Sequence, residues 1–274
     1  MSQQLGRDGR LDVNDNPLTV LVVGATGSIG RLVVAESLAR GYATRALVRD
    51  AARARQLPAG AEPVVGDLTR AETLGEAADG IDAVIFTHGA PDGGKEAMEA
   101  VDYGAVRNIL AALNERPARI ALMTSIGITN RTGRFNSATE ALDWKRRAER
   151  LVRASGRPYT IVRPGWFDYN KPDEHQIVLT QGDKPRTESP SDGAIARQQI
   201  AQVLVDSITS DAADHKTFDL VAERGPAPTD LTPLFAALEA DPADALDGVQ
   251  DPTNMPVEAE PQRVRDDLTE VRQV

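Results

Sequence analysis

The chain of 274 residues is long enough to bury a large core, and its 41% of hydrophobic residues with 22 glycines is ordinary for a globular protein. The absence of cysteine excludes disulfides and thiol catalysis, and with three well-separated histidines a metal site is not expected. The net charge of −10 opposes binding to nucleic acid, so a role in reading DNA or RNA is not expected.

Residues 1–17 are polar and show neither helical nor strand periodicity, which predicts a flexible N-terminal tail. This start lacks the apolar stretch of a signal peptide, and no apolar run approaches the roughly 18–20 residues that span a bilayer. We therefore expect a cytoplasmic protein that does not bind membranes.

From Leu18 onward, short β-branched runs alternate with amphipathic stretches of helical length. This rhythm is typical of βαβ units and predicts an α/β fold with a Rossmann-type doubly wound parallel sheet. The predicted strands are Thr19–Val23, Thr44–Val48, Glu62–Val65, Ala83–Thr87, Arg119–Thr124 and Tyr159–Val162. The predicted helices are Ser28–Arg40, Ala71–Ala78, Lys95–Asn114 and Ala138–Ala154, the last preceded by a Ser-x-x-Glu capping box from Ser137 to Glu140.

After Arg163 the predicted elements become smaller: a strand over Gln176–Thr180, a helix near Ala194–Ile208, a strand over Thr217–Val221 and a helix near Leu231–Glu239. We expect one domain over residues 18–240, with a small C-terminal subdomain on the substrate side from about residue 164. Residues 241–274 contain nine acidic residues against three arginines. They are expected to form a solvated, proline-containing acidic tail, with a partner-binding element as the alternative.

The segment Leu21-Val-Val-Gly24-Ala-Thr-Gly27-Ser-Ile-Gly30 links a predicted buried strand to a predicted helix. Lacking a Cβ, Gly24 can form a tight turn, Gly27 can let the backbone approach a pyrophosphate, and Gly30 can let the helix pack closely on the strand. The helix N-terminus would offer free amides to phosphates, with Thr26, Ser28 and Ile29 in the same loop. The pattern predicts nucleotide binding; the alternative is a merely tight turn.

Arg49 follows the second predicted strand, where a protein that prefers NAD usually has a carboxylate. A guanidinium can bind a 2′-phosphate and stack on adenine, so the sequence favours NADP over NAD, with NAD still possible. Asp50 stands one residue further on and weakens this distinction. The alternative for Arg49 is a solvated loop residue.

Residues after the third and fourth strands fit the same cofactor. Asp67, beside Leu68, can accept a hydrogen bond from the adenine amino group, or it can cap its own loop. Thr87, His88 and Gly89 follow the fourth strand, where small residues pass beneath the ribose and the nicotinamide.

With these residues assembled, the sequence resembles the atypical short-chain dehydrogenases of the NmrA-like group, which bind NAD(P)H and include small flavin, quinone and biliverdin-type reductases. The resemblance covers residues 18–238 and also places Pro164 in the cofactor site. Its landmarks are Gly24-Ala-Thr-Gly-Ser-Ile-Gly30, Ala46-Leu-Val-Arg49, Gly66-Asp-Leu68, Val101-Asp-Tyr103, Met123-Thr-Ser125, Lys145-Arg-Arg-Ala-Glu149 and Ser155-Gly-Arg-Pro-Tyr-Thr-Ile-Val-Arg-Pro-Gly165.

In catalytically standard members, a tyrosine four residues before a lysine donates a proton, and a serine after the fifth strand polarises the substrate carbonyl. Here Lys145 holds the lysine position, but the residue four before it is Ala141. The resemblance implies that Lys145 binds the nicotinamide ribose and that Ser125 polarises a carbonyl. The alternatives are Lys145 as part of a solvated basic face and Ser125 as a hydroxyl satisfied by backbone. His88 could supply a proton or could hold the geometry of its loop.

Trp166, Phe167 and Tyr169 follow the sixth strand, at the sheet edge where doubly wound proteins bind ligands. They could form an aromatic wall for a planar substrate, or they could pack into the core. Without the tyrosine, an acceptor with a stabilised anion is favoured, because it needs little proton donation. The sequence therefore predicts an NADPH-dependent reductase of a small conjugated molecule such as a quinone, a flavin or an aromatic ketone. The alternative is a non-catalytic NADP-binding redox sensor; sugar-nucleotide epimerisation is less favoured because it normally relies on the missing tyrosine.

Overall fold

The structure, a computed structural model, describes residues 17–90, 93–184 and 186–272. The tail predicted over residues 1–17 therefore lies, apart from Pro17, outside the described residues. The strands are β1 (Thr19–Val23), β2 (Ala43–Val48), β3 (Glu62–Val65), β4 (Ala83–Phe86), β5 (Arg119–Met123), β6 (Tyr159–Pro164), β7 (Trp166–Phe167), β8 (Gln176–Thr180), β9 (Ala194–Ile195) and β10 (Lys216–Glu223). The helices are α1 (Gly30–Ala39), α2 (Gly75–Ala78), α3 (Gly94–Ala97), α4 (Gly104–Leu113), α5 (Arg134–Thr139), α6 (Ala141–Ala154), α7 (Arg197–Ser207), α8 (Thr232–Ala236) and α9 (Gln262–Val271), and a π-helix, Met98–Tyr103, joins α3 to α4.

The main sheet has the strand order β3-β2-β1-β4-β5-β6-β10-β8. All neighbouring pairs are parallel except β10 with β8, which is antiparallel. One core lies between the sheet and helices α2, α4, α6 and α9, and the other lies between the sheet and α1, α7 and α8. The central strands are buried on both faces, which explains their continuous apolar runs. The predicted Rossmann-type doubly wound fold is confirmed.

The starts of α6 and α7 differ from the predicted ones for identifiable structural reasons. The Ser137–Glu140 capping box does not form, because Glu140 has a left-handed backbone (φ 58°) and ends α5. The side chain of Asn136 instead accepts the amides of Leu142 and Asp143, at 2.9 and 3.2 Å, and thereby starts α6. The helix predicted from Ala194 begins at Arg197, because Ala194 and Ile195 pair with Trp166 and Phe167 as a small parallel sheet.

The acidic C-terminal segment, residues 241–272, packs on α6 and differs from the expected solvated tail. Its carboxylates meet arginines of α6 and β6: Asp247 binds Arg146 and Arg150, Glu260 binds Arg147, Asp241 binds Arg153, and Asp251 binds Arg163. These arginines are at most 7% exposed, so the basic face of α6 is not solvated either. The segment also buries Met255, Val264 and Leu268. Burying five guanidinium groups requires anionic partners, and this segment supplies them.

No helix within the described ranges combines the length and the apolar character needed to cross a membrane.

Candidate functional site

The glycine loop crosses the carboxyl ends of β1 and β4, where the strand order reverses. Gly24 has φ +86°, and a Cβ on it would lie 2.7 Å from the backbone nitrogen of His88. A Cβ on Gly30 would lie 2.1 Å from the carbonyl oxygen of Gly24 and 2.9 Å from Thr87 Oγ1. The Thr87 hydroxyl in turn donates to the Val23 carbonyl at 3.0 Å. Gly24 and Gly30 are therefore required for close backbone packing between the loop and β4.

Gly27 and Ser28 form the exposed tip of the loop, Thr26 is half-buried, and the Ile29 side chain is in the core. A Cβ on Gly27 would meet only the Gly24 carbonyl, at 3.1 Å. No side chain caps the start of α1, and within the described residues the amides of Ser28 and Ile29 have no hydrogen-bond acceptor. Free amides at the positive end of a helix dipole bind anions.

Arg49 extends from the end of β2 into solvent and forms no ion pair within the described part of the chain. Asp50 is turned away from it, since its carboxylate accepts the Arg53 amide at 3.2 Å and caps a 3₁₀ turn. Asp67 accepts the amide and the hydroxyl of Thr69 at 2.9 and 2.8 Å, so its carboxylate caps its own loop. These bonds to Thr69 lower the pKa of Asp67. Leu68 packs against the core while its carbonyl accepts from Asn108.

Lys145 is held by the carboxylate of Asp102, for which the sequence predicts no role. Its Nζ donates to Asp102 Oδ1 at 2.7 Å, and the Asp102 side chain is 1% exposed. Gly89 lies beside this pair, since a Cβ on it would be 3.5 Å from Asp102 Oδ1 and 3.8 Å from Lys145 Nζ. The other oxygen of Asp102, Oδ2, is buried without a partner within the described residues. The Asp102 of the Val101-Asp-Tyr103 landmark thus fixes a cation where β4 ends.

His88 is 9% exposed, and its Nδ1 is buried without a partner in the described part of the chain. Burial lowers the pKa of His88 to about 4, an effect that nearby Asp102 opposes and Lys145 reinforces. The imidazole is therefore neutral at pH 7 and is a poor proton donor there. Its role as a proton donor and its alternative role in the geometry of its loop both stay predictions.

The pH dependence of His88 follows from this burial. Because its folded-state pKa lies below the value of about 6.5 for an unfolded chain, the unfolded state binds the proton more readily. Stability should be full above pH 6.5 and fall by about 3 kcal/mol as the pH drops to 4. Chemical denaturation of the wild type and of His88→Asn at pH 4 to 8 measures this, since only the wild type should show it.

Asp219 has the opposite effect on the pH dependence of stability, because burial raises its pKa to about 7. Since Asp219 is present in both proteins, its contribution cancels in the difference between their free energies of unfolding. An imidazole resonance of His88 that titrates near pH 6.5 in an NMR experiment would contradict the prediction.

Ser125 is half-buried where β5 ends, and its hydroxyl has no partner within the described residues. Its neighbours are fixed: Thr124 Oγ1 donates to the buried Glu149 at 2.7 Å, and the Ile126 amide donates to the Pro164 carbonyl at 3.1 Å. Pro164 itself is buried at the end of β6. Ser125 can therefore offer a free hydroxyl from a fixed backbone.

The three aromatic residues after β6 do not share one environment. Trp166 and Tyr169 are 37% and 64% exposed and meet edge to face, with ring centroids 6.1 Å apart. Phe167 packs partly against the core. Arg197 stands over the Phe167 ring and also donates to Ser28 Oγ at 3.1 Å. The aromatic segment is thus joined to the glycine loop through Arg197. No pattern in the sequence indicated this contact.

The position of the missing tyrosine is filled by Ala141, which is 2% exposed at the start of α6. The phenols of Tyr103 and Tyr159 are no substitute, because they donate to Asp267 and Asp241 at 2.7 and 2.9 Å. Burial raises the pKa of both phenols well above the usual range. Neither buried phenol is available as the usual acid.

These residues fit a dinucleotide. Next to the exposed Gly27, the loop offers the amides of Ser28 and Ile29, which have no acceptor among the described residues. Arg49 offers a cation beyond β2, and Lys145 is fixed where β4 ends. Asp102 Oδ2 and His88 Nδ1 lie at the same end of β4, are buried without a partner in the part of the chain that the structure describes, and leave polar atoms for a ligand.

Comparisons with known proteins agree with this assignment. The sequence model of a family described as NAD(P)H-binding matches residues 24–211. The NAD(P)H azoreductase of Xenophilus azovorans is 31% identical over 81% of this chain and 73% of its own length. The sanguinarine reductase of Eschscholzia californica is 28% identical over 80% of this chain and 95% of its own length. The chloroplastic protein TIC 62 of Pisum sativum is 31% identical over 78% of this chain, which spans 44% of that longer protein.

Solved structures show the same fold. One solved structure is that of a Bacillus halodurans protein described as a candidate NAD-dependent epimerase/dehydratase. It superposes with a TM-score of 0.67 at 24% identity, over 81% of this chain and 100% of that one. A short-chain dehydrogenase/reductase of Veillonella parvula in complex with NADP gives a TM-score of 0.58 at 17% identity, over 78% and 99% of the two chains. The predicted family resemblance and NAD(P)H binding are confirmed by the family match.

Proposed function

Because this chain belongs to the NAD(P)H-binding family, we propose that it is an NADPH-dependent reductase of a small conjugated acceptor such as a quinone, a flavin or an aromatic ketone. The observation that supports this most is the exposed Trp166–Tyr169 pair on the segment that Arg197 joins to the glycine loop. Exposed aromatic rings beside a dinucleotide site suit a planar acceptor. Two relatives are named as reductases, one of them an NAD(P)H azoreductase.

The residues of this chain have separate tasks in the proposed reaction. The amides at the start of α1 bind the pyrophosphate, and Lys145, oriented by Asp102, binds the nicotinamide ribose. The bound cofactor supplies a hydride. Trp166 and Tyr169 stack on the acceptor, and Ser125 donates a hydrogen bond to its oxygen.

The proton need not come from the protein. Two electrons and one proton reach the acceptor as hydride, and a second proton is taken from water after the anion has formed. A quinone or flavin anion is delocalised and survives until then, which is consistent with Ala141 in place of the tyrosine and with the neutral His88.

Arg49 is proposed to select NADPH over NADH. Arg49→Ala removes one charge-assisted contact to the 2′-phosphate and should weaken NADPH binding about tenfold to a hundredfold, with NADH affected less than about twofold. Calorimetric titration of both cofactors measures the two affinities. Equal losses for NADPH and NADH would show that Arg49 does not contact the 2′-phosphate.

The reaction is tested by stopped-flow oxidation of NADPH against quinones, flavins, azo compounds and aromatic ketones. Ser125→Ala should lower kcat about tenfold to a thousandfold, whereas Trp166→Ala should mainly raise KM. Ser155→Ala, at the end of α6 on the opposite edge of the sheet, is the matched control and should leave both constants unchanged.

A non-catalytic NADP-binding sensor is the second candidate, favoured by Ala141, which is buried at the position of the missing tyrosine. Tight NADPH binding, no turnover with any acceptor and a partner captured only in the presence of NADP would replace the reductase with this function.

A further inference from the structure

Arg197 begins α7 and connects the substrate side of the molecule to the glycine loop. Its Nε donates to Ser28 Oγ at 3.1 Å, although the two residues are 169 positions apart in the chain. Its Nη1 pairs with one carboxylate oxygen of Asp168, and the other oxygen accepts the Arg197 backbone amide at 2.9 Å. The guanidinium is therefore held from two sides at the loop.

The backbone of Asp168 is held in a conformation that keeps its carboxylate on Arg197. It has a left-handed backbone with φ +61°, which is uncommon for a residue other than glycine, and its amide donates to the Ile195 carbonyl at 2.9 Å. The guanidinium carbon also lies 5.3 Å from the centroid of the Phe167 ring. These contacts fix the direction of the Arg197 side chain, so little conformational freedom is left to lose when a ligand binds.

The guanidinium retains donors for a further partner. Of its five N–H groups, one at Nε and one at Nη1 are used, and Nη2 has no acceptor within the described residues. The Arg197 side chain is 35% exposed. It adjoins the exposed Ser28, whose amide also lacks an acceptor in the described part of the chain. A cation with free donors beside free amides matches a phosphate group.

We propose that Arg197 binds the pyrophosphate of the dinucleotide and that Asp168 is the positioning residue that aims it. This inference rests on the glycine loop being the cofactor site, as in the proposed function. Because NADPH and NADH share the pyrophosphate, Arg197 contributes equally to the affinity for both. Arg49 differs, since it is proposed to contact the 2′-phosphate that only NADPH carries.

The test measures the affinities of the full-length protein for NADPH and NADH by fluorescence titration, and for adenosine 2′-monophosphate, which has no pyrophosphate, by competition. Arg197→Met keeps the apolar stem over Phe167 and should weaken NADPH and NADH by the same factor, about tenfold to a hundredfold. Binding of adenosine 2′-monophosphate should change less than about twofold. Asp168→Asn, which tolerates the left-handed backbone, should weaken both dinucleotides by a smaller factor.

Arg116→Met is the matched control, because Arg116 forms a similar surface pair with Asp79, at 2.8 Å, before β5 on the opposite edge of the sheet. It should leave all three affinities unchanged, and thermal unfolding should show that every variant is folded. Arg197→Met with wild-type affinity for both dinucleotides, or with a loss confined to NADPH, would overturn the inference. A wild type that binds both dinucleotides but reduces no acceptor contradicts the proposed reductase and leaves the assignment of Arg197 standing.

Discussion

A chain that ends at residue 240 is expected not to fold. Met255, Val264 and Leu268 are buried at 2%, 0% and 4% exposure, and each contributes about 1.5–3 kcal/mol. Their loss alone amounts to roughly 5–9 kcal/mol, against a total stability of about 5–15 kcal/mol for a typical domain. Circular dichroism and thermal unfolding of the shortened chain measure the result.

Electrostatics adds to this loss. Arg163 lies between Glu149 and Asp251, each with an oxygen at 2.7 Å from its Nη2, and Glu149 also accepts from Arg153. Without the C-terminal segment, Glu149 would remain as the carboxylate at ion-pair distance from the two buried guanidinium groups of Arg153 and Arg163. Removing one partner of a buried ion pair typically costs about 3–5 kcal/mol.

Two glutamates of the C-terminal segment allow the effect of a buried charge on stability to be compared with that of an exposed charge. Glu260 is 5% exposed and accepts from Arg147 at 2.5 Å, whereas Glu258 is exposed. Glu260→Gln should lower the free energy of unfolding by about 3–5 kcal/mol, and Glu258→Gln should change it by less than about 0.5 kcal/mol. A shortened chain that unfolds at the wild-type temperature would show that the segment is a dispensable appendage.

The C-terminal segment also shows why the sequence predicted the sheet better than this packing. Strands β1, β3 and β8 have the predicted bounds, because hydrophobic runs between turn residues are local signals. The arginine partners of Asp241, Asp247 and Asp251 are 88 to 101 positions away, a separation that periodicity does not encode. A run of Asp, Glu and Pro has the same composition whether it is solvated or paired. The available signal was the recurrence of Arg146, Arg150 and Arg153 at helical spacing, opposite in charge to the segment.

The candidate functional site shows the same difference between local sequence signals and long-range contacts. Candidate site residues that directly follow strands could be predicted, because parallel strands bring their carboxyl ends to one edge of the sheet. The spacing of the three glycines predicted the turn between β1 and α1. Asp102 lies on a π-helix and Arg197 at the start of a helix of the second half of the chain. Their contacts with Lys145 and Ser28 depend on tertiary packing, so neither residue could be assigned a role from the sequence.

Valine substitutions at two of the loop glycines, Gly27 and Gly30, should distinguish an effect on cofactor binding from an effect on folding. Gly27→Val is expected to keep the fold and to weaken NADPH binding more than about a hundredfold, because Gly27 is exposed and a Cβ there meets only the Gly24 carbonyl, at 3.1 Å. Under the proposed function, the valine side chain stands next to the amides of Ser28 and Ile29 and hinders the approach of the pyrophosphate to them. NADPH fluorescence titration beside thermal unfolding measures the two effects.

Gly30→Val is the matched comparison, because the same side chain at Gly30 places its Cβ 2.1 Å from the Gly24 carbonyl oxygen and 2.7 Å from the carbonyl carbon. These are backbone atoms, so Gly24 and the start of α1 must move apart, and we expect a loss of about 1–3 kcal/mol or more in the free energy of unfolding together with the loss of binding. If Gly27→Val binds NADPH as the wild type does, the loop is not the phosphate site. If it unfolds as readily as Gly30→Val, the middle glycine serves packing instead of ligand approach.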